Sequence, residues 1–162
     1  MKRTYALLLG LLTAVLSITA TWAYDTEMAR GYAQMFEPVQ GVKAGKALHM
    51  IKPDQFVERV KKGETIVALD VRTPAELGFY GMTTPDALNM PINELFKSEN
   101  LDLIPTDKLV LVVCATGARA MAAGTGLRHI GFDNVYVLKG GIGALAAYLN
   151  PKTANMPLPS AK

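Results

Sequence analysis

Three apolar runs along the chain lack the alternation of a half-buried strand. They cover residues 65–71, 109–113 and 134–138, and β-branched side chains are frequent in them. A continuous apolar run of this length is typical of a strand that is buried on both faces of a parallel sheet. A segment of helical composition over residues 119–130 separates the last two runs. The pattern therefore predicts an α/β fold with a parallel central sheet flanked by helices.

Shorter patterns predict further elements around this sheet. Apolar spacing, prolines and glycines indicate a helix over 25–36, a connector over 37–46, a short strand over 47–51, a helix from Pro53 that ends at Gly63, and a closing helix over 142–149. The residues from Pro151 onward contain further prolines and are predicted to form a loose tail.

The first 23 residues have the parts of a secretory signal peptide. Lys2 and Arg3 form a charged start, an apolar run extends from Tyr5 to about Ala20, and cleavage is predicted near Ala23. The alternative is a retained membrane anchor, because this uncharged stretch approaches the roughly 20 apolar residues that span a bilayer. In either case we expect the rest of the chain to be exported, to the periplasm or out of the cell. The expected organisation is a signal peptide (1–23), an N-terminal helical extension with a connector (24–50), one domain (51–150) and a tail (151–162).

Composition excludes several classes of protein. The 162 residues carry a formal charge of +3, which falls to +1 without Lys2 and Arg3, and no basic stripe suggests a nucleic-acid partner. A single cysteine, Cys114, excludes an internal disulfide, a four-cysteine zinc cluster and a cysteine-ligated iron–sulfur centre. His49 and His129 are far apart in the sequence, and the eight methionines are scattered as core fillers rather than grouped as copper ligands. We expect no metal and no organic cofactor.

Cys114 directly follows the apolar run 109–113, at the edge of the sheet where parallel α/β folds bind ligands. The loop after it leads into a helix, so its backbone N–H groups, the helix dipole and Arg119 would all favour a thiolate and an anion above it. Gly117 supplies the backbone freedom that such a turn requires. The alternative is a buried cysteine that acts as a small apolar filler. The placement of this unpaired thiol favours a functional role.

Four segments together resemble the rhodanese-like sulfurtransferase domain, over about residues 51–149. The cysteine loop fits the family pattern C-x-x-G-x-R. The other three segments fit D-V-R-x-x-x-E, A-x-N-I-P and L-x-G-G, and they begin at Asp70, Ala87 and Leu138. Each motif alone is weak, whereas four in the family's order form a strong signal.

The resemblance implies a three-layer rhodanese-like fold and a sulfur-transfer reaction. Cys114 would be the catalytic nucleophile, taking a sulfane sulfur from a donor such as thiosulfate or polysulfide and passing it to a thiol or cyanide. Arg119 would stabilise the persulfide or the anionic donor at the end of the loop. The amides of the intervening residues would hold the outer sulfur: Ala115, Thr116, Gly117 and Ala118. Cysteine phosphatases have a longer loop between cysteine and arginine, which is wide enough for a phosphate group. The shorter loop between Cys114 and Arg119 suits a sulfur atom better.

Two departures from the family pattern bear on the substrate. Ala115 stands where many thiosulfate-using members have a basic or polar residue, and residues 81–87 replace the usual G-H-I-x-G-A stretch. Both indicate a donor or acceptor other than the generic one. One alternative is a partner-dependent carrier or docking module in a sulfur or redox pathway, with the helix around Tyr32 and Phe36 as its docking surface. Another is a redox sensor that forms a sulfenic acid at Cys114, although the chain has no resolving cysteine.

Three other polar residues are interpreted as structural. Asp70 and Arg72 lie near the end of a predicted strand, where an ion pair or a capping contact is favoured over catalysis. His129 lies near the end of the helix after the cysteine loop, where a cation suits the helix dipole better than a general base.

Overall fold

The structure is a computed structural model that describes residues 23–157, so the predicted signal segment up to residue 22 and the last five residues of the predicted tail lie outside it. The helices are α1 Thr26–Phe36, α2 Ala44–Ala47, α3 Pro53–Lys61, α4 Pro74–Leu77, α5 Ile92–Leu95, α6 Ser98–Leu101, α7 Ala118–His129, α8 Gly141–Tyr148 and α9 Pro151–Asn155. The strands are β1 Met50–Ile51, β2 Ile66–Asp70, β3 Leu88–Asn89, β4 Leu109–Val113 and β5 Val135–Leu138. Within these described residues, no helix is both long and apolar enough to cross a membrane.

The strands form one parallel sheet in the order β1-β5-β4-β2-β3. β2 is buried at every position, and β4 is buried at every position after its first. Apolar and polar residues do not alternate along these two strands because, as predicted, both strands are buried on both faces of a parallel sheet. Because all strands run in one direction, Asp70, Val113 and Leu138 end at the same edge of the sheet. The predicted α/β fold is confirmed.

Two apolar clusters fill the space between the sheet and its helices. On one face α7 packs against β4 and β5, and Leu69 and Leu127 are fully buried there. On the other face α3 and α8 cover Leu111. Full burial of one leucine side chain stabilises the fold by about 1.5–3 kcal/mol. α7 approaches the sheet closely because Gly124 has no side chain: a Cβ there would lie 2.7 Å from the Cγ2 atom of Val137.

The N-terminal helix α1 packs against this domain. Asp25 caps it, with a carboxylate that accepts two backbone N–H bonds from the first turn. The ring of Tyr32 stacks on that of His129, with centroids 4.0 Å apart and planes 9° from parallel. Gly31 permits this approach, since a Cβ there would lie 2.6 Å from the imidazole. His129 is thus part of the contact between α1 and α7.

The connector before the sheet differs from the prediction. A single 3-10 turn at Gly41–Lys43 runs into helix α2, and the strand predicted over 47–51 is reduced to Met50–Ile51. The reason is local, because His49 has a φ of 55° and turns the chain immediately before the strand.

The tail from Pro151 also differs, because its first five residues form helix α9 rather than a loose end. Asn150 caps this helix by accepting the N–H of Thr153 at 3.0 Å. The ammonium group of Lys61 donates to the carbonyl oxygens of Thr153 and Met156, at 2.9 and 2.6 Å. These contacts attach residues 151–156 to α3.

Candidate active site

Cys114 is the first residue after β4 and is 1% exposed. Its neighbour Val113 pairs with Asp70 on β2, so the thiol lies at the carboxyl edge of the two central strands. This is the position that the sequence predicts.

Two backbone N–H groups donate to the Cys114 sulfur. The Sγ atom lies 3.1 Å from the nitrogen of Gly117 and 3.4 Å from that of Ala120. Gly117 reaches its position with a φ of +97°, which a residue with a Cβ rarely adopts, and it is the N-cap of α7. Amides at a helix N-terminus have no partner within the helix, so they are available to a negatively charged sulfur. Both N–H groups therefore lie where they can donate to negative charge on the sulfur.

The structure identifies which loop amides reach Sγ itself, whereas the predicted contact of the loop amides with an outer sulfur stays a prediction. Among the described residues, Gly117 is the one member of the predicted set whose amide reaches Sγ, and Ala115, Thr116 and Ala118 make no hydrogen bond to it. Ala120 was not predicted, because its contribution is a backbone group that gives no side-chain signal. Its place in the first turn of α7 is the feature that could have identified it.

The turn at Gly140 and Gly141, together with the start of α8, binds the backbone of the cysteine loop. The N–H of Ile142 donates to the carbonyl of Cys114 at 2.8 Å, and that of Gly143 donates to the carbonyl of Ala115 at 3.1 Å. With both carbonyls bound to the start of α8, the neighbouring amides are free to face the sulfur. A Cβ at Gly141 would lie 2.3 Å from the Cys114 carbonyl oxygen, so only glycine fits.

Arg119 forms a bidentate ion pair with Glu76. The two nitrogen–oxygen distances are 2.8 and 2.6 Å, and each side chain is about one third exposed. The Arg119 guanidinium, helped by hydrogen bonds from Thr73, holds the pKa of the Glu76 carboxyl well below its usual range. Glu76 in turn raises the pKa of Arg119. The structure places Arg119 at the end of the loop as predicted, but its charge is compensated by Glu76, for which the sequence predicts no role.

Asp70 and Arg72 form a buried ion pair beside the cysteine loop. They are 1% and 2% exposed, and the guanidinium contacts both carboxylate oxygens at 2.7–3.0 Å. The hydrogen bonds that Arg72 donates to Asp70 raise the pKa of Arg72. Arg72 also donates to the carbonyl of Tyr80 at 2.8 Å and lies over its ring. The structural interpretation of this pair is confirmed, and its effect is to hold the loop that begins at Tyr80.

The fold and this loop define a rhodanese-like α/β domain. The model of the rhodanese-like domain family matches residues 52–148, and the chain belongs to that family. In the described residues no group of three histidine, cysteine, aspartate or glutamate side chains could hold a metal ion.

Individual relatives agree with this assignment. A sulfurtransferase of Allochromatium vinosum is 35% identical over 104 residues, which cover 64% of this chain and 94% of that protein. A mitochondrial thiosulfate sulfurtransferase of Saccharomyces cerevisiae is 34% identical over 139 residues, covering 80% of this chain and 87% of that one. A solved rhodanese-related protein of Thermoplasma volcanium superposes with a TM-score of 0.55 at 31% identity, over 64% of this chain and 95% of the other. Family and relatives together support sulfurtransferase activity in general terms.

Proposed function

We propose that the chain carries sulfane sulfur as a persulfide on Cys114, from a donor such as thiosulfate or polysulfide to a thiophilic acceptor. The observation that carries this proposal is the Cys114 sulfur at a strand end, with two amide donors and a helix N-terminus facing it. A thiolate is the nucleophilic form of cysteine, and amide donors at a helix N-terminus are a favourable environment for negative charge.

The reaction divides into two displacements at sulfur. In the first, the Cys114 thiolate attacks the sulfane sulfur of the donor, a new S–S bond forms, and with thiosulfate the old S–S bond breaks to release sulfite with the electron pair. In the second, a thiolate or cyanide attacks the outer sulfur of the persulfide. The bond to Sγ then breaks and the electron pair returns to Cys114. Each step is balanced without an additional oxidant or reductant.

The chain's own groups have distinct tasks in this scheme. The amides of Gly117 and Ala120 stabilise negative charge on Sγ in the resting enzyme and when the acceptor has taken the sulfur. The loop amides that make no bond to Sγ, those of Ala115, Thr116 and Ala118, would hold the outer sulfur of the persulfide.

A second candidate is a carrier module that exchanges sulfur only with a protein partner. Two observations favour it. Cys114 is 1% exposed. In addition, Glu76 compensates the charge of Arg119, so the loop offers little electrostatic attraction to a small free anion. The predicted docking surface on α1 is partly occupied, since Tyr32 stacks on His129 while Phe36 is 39% exposed. A partner would therefore meet Phe36 rather than Tyr32.

Intact-protein mass spectrometry tests the proposal directly. The purified chain is incubated with thiosulfate and, separately, with polysulfide, beside a Cys114→Ser variant. A gain of about 32 Da that cyanide reverses and the variant lacks supports the persulfide, and identifies the donor class. No gain with either donor rejects the free transferase and leaves the partner-dependent module.

Export is also a proposal, based on the charged and apolar pattern of residues 1–23. The mass of the chain recovered from the cell envelope tests it. Loss of the first 23 residues supports a cleaved signal peptide, and an intact N-terminus in the membrane fraction supports the anchor.

A further inference from the structure

Arg128, near the end of α7, carries a buried charge that the described residues do not neutralise. Its side chain is 8% exposed, and burial lowers the pKa of its guanidinium from the usual arginine value. Arginine stays protonated in proteins all the same. Within residues 23–157 it forms no ion pair. A buried charge is costly unless it is paired, so an anion at this position would stabilise the protein.

The guanidinium of Arg128 also has hydrogen-bonding capacity to spare. Nε donates to the carbonyl of Gly124 at 3.3 Å and Nη1 donates to that of Ala47 at 3.4 Å, and both bonds are long. Nη2 is buried and meets no acceptor in the part of the chain that the structure describes. Because both carbonyls are neutral, the group retains its charge and some of its five N–H donors for an oxyanion.

Arg128 lines a cavity of about 500 Å³ between α1 and the domain. Gln34 and Met35 form its α1 side, and His49 and His129 lie on the domain side. The volume is within the range of about 300–1,000 Å³ that is typical of small-molecule sites. A buried, unpaired cation and a cavity of ligand size therefore occur at the same place.

The walls of this cavity suit an organic ligand better than a bare inorganic ion. Met35, Pro38 and Ala47 are apolar, and the two histidines add flat rings. Both rings are held in place by stacking: His129 on Tyr32, and His49 on Tyr136. An inorganic oxyanion would contact Arg128 but would leave these apolar walls without a partner. A carboxylate on an apolar, planar body would use both, because a guanidinium matches the geometry of a carboxylate.

Asp133 is the one carboxylate on the cavity wall among residues 23–157. It is exposed and forms no ion pair in that range, so it does not neutralise Arg128. Water and salt screen its charge more than they screen that of the buried guanidinium. Its effect on a bound anion is therefore a modest repulsion.

We propose that the cavity between α1 and α7 binds a small organic carboxylate, with the Arg128 guanidinium as its counter-ion. The N-terminal helix α1 then has a function, because it supplies one wall of the site. Arg128 lies at the C-terminal end of α7, a 12-residue helix about 18 Å long, and the cysteine loop lies at the other end. The inference therefore does not depend on sulfur transfer at Cys114.

Binding is tested with benzoate, which has one carboxylate on a flat ring, and with benzamide, which has the same shape and no charge. Each is titrated into the ¹⁵N-labelled chain and followed by backbone amide shifts. Saturable benzoate shifts at Ala47, Arg128 and His129, with benzamide binding at least about tenfold more weakly, support the site. A lack of saturable benzoate shifts, or equal binding of benzamide, overturns it. Sulfate that binds as tightly as benzoate overturns the assignment to an organic acid.

Replacing Arg128 with methionine tests the counter-ion. Methionine fills much of the same space without a charge, so Arg128→Met should bind benzoate at least about tenfold more weakly than the native chain. Arg30→Met is the matched control, because Arg30 is exposed on α1 and does not line the cavity. Native-like binding by Arg128→Met, or an equal loss in the control, would overturn the proposal.

Two variants at exposed positions of the cavity wall keep the test independent of whether Arg128→Met folds. Gln34→Glu adds a carboxylate and should weaken benzoate binding, whereas Asp133→Asn removes one and should strengthen it. We expect each change to be about two- to fivefold and smaller at high salt, with no change for benzamide. Changes of the opposite sign, or equal changes for benzamide, would overturn the site.

Discussion

The guanidinium of Arg119 and the carboxylate of Glu76 meet in two parallel hydrogen bonds, although the residues are 43 positions apart. Glu76 lies on α4 and Arg119 on the first turn of α7, so the pair joins the loop after β2 to the loop after β4. It also removes most of the net charge that Arg119 would bring to the cysteine. One carboxylate therefore controls both the position of the loop's arginine and the attraction of the loop for anions.

Replacing Glu76 with glutamine should make the loop more receptive to thiosulfate. The amide keeps the size and part of the hydrogen bonding of the side chain but leaves the charge of Arg119 uncompensated. We expect the rate of Cys114 persulfide formation from thiosulfate to rise by up to about tenfold at low ionic strength, with a smaller gain at high salt. Stopped reactions analysed by intact mass measure this rate.

Glu94→Gln is the control for that change. Glu94 forms an exposed ion pair with Lys97 and, within the described residues, no hydrogen bond or ion pair with the cysteine loop, and its loss removes the same charge from the whole protein. If both variants accelerate loading equally, the effect comes from net charge and not from Arg119.

The same pair predicts a dependence of stability on pH. The pKa of Glu76 is lowered in the folded protein by Arg119, so its contribution to stability is complete above the pKa of the unfolded state, about 4.3 for glutamate. As the pH falls below that value towards the lower folded pKa, the contribution is lost. Urea unfolding of the native chain and Glu76→Gln should differ by a constant amount from pH 7 to about 5 and progressively less below about 4. A difference that stays constant down to pH 3 would contradict the assignment.

The central strands could be predicted from the sequence because their signal is local and strong. β2 and β4 are buried on both faces, and burial alone produces an uninterrupted apolar run. β1 is only two residues long and is stabilised by its pairing with β5, so the local pattern gave wrong bounds. Helix α9 was not predicted for a similar reason, because contacts from Lys61, which is distant in the sequence, help to hold it in place.

The candidate site also has features that the local sequence predicts and features that it does not. The position of Cys114 follows from the strand before it, and Gly117 from the need for a turn. The contact between Arg119 and Glu76 joins two elements that are distant in sequence, and the bond from Ala120 to sulfur is made by a backbone group. Neither leaves a pattern of side-chain types that a single sequence reveals.

Removing the charge of Asp70 should destabilise the fold strongly. Asp70→Asn leaves the guanidinium of Arg72 buried without a counter-ion, and breaking a buried pair costs about 3–5 kcal/mol. Asp86→Asn is the control, since its pair with Lys108 is exposed and longer, at 3.6 Å, and should change stability by less than about 0.5 kcal/mol. Chemical denaturation measures both. Similar losses in the two variants would mean that Arg72 finds other partners.

Gly141→Ala should separate the geometry of the cysteine loop from ordinary backbone strain. Gly141 has a φ of +63°, and its Cβ would lie 2.3 Å from the Cys114 carbonyl, so the loop must move when a methyl group is added. Gly63→Ala is a matched control, because Gly63 has a φ of +77° but no heavy atom within 4 Å of its Cβ position. Both changes cost about 1–2 kcal/mol for the left-handed backbone.

Only Gly141→Ala should also displace the carbonyl that accepts the Ile142 N–H, and with it the amides facing the sulfur. We therefore expect its rate of persulfide formation to fall at least about tenfold, as the loss of one positioned amide donor does in other active sites, while Gly63→Ala loads at the native rate. Equal loading by the two variants, measured by intact mass under conditions where both are folded, would show that the turn at Gly141 does not position the cysteine loop.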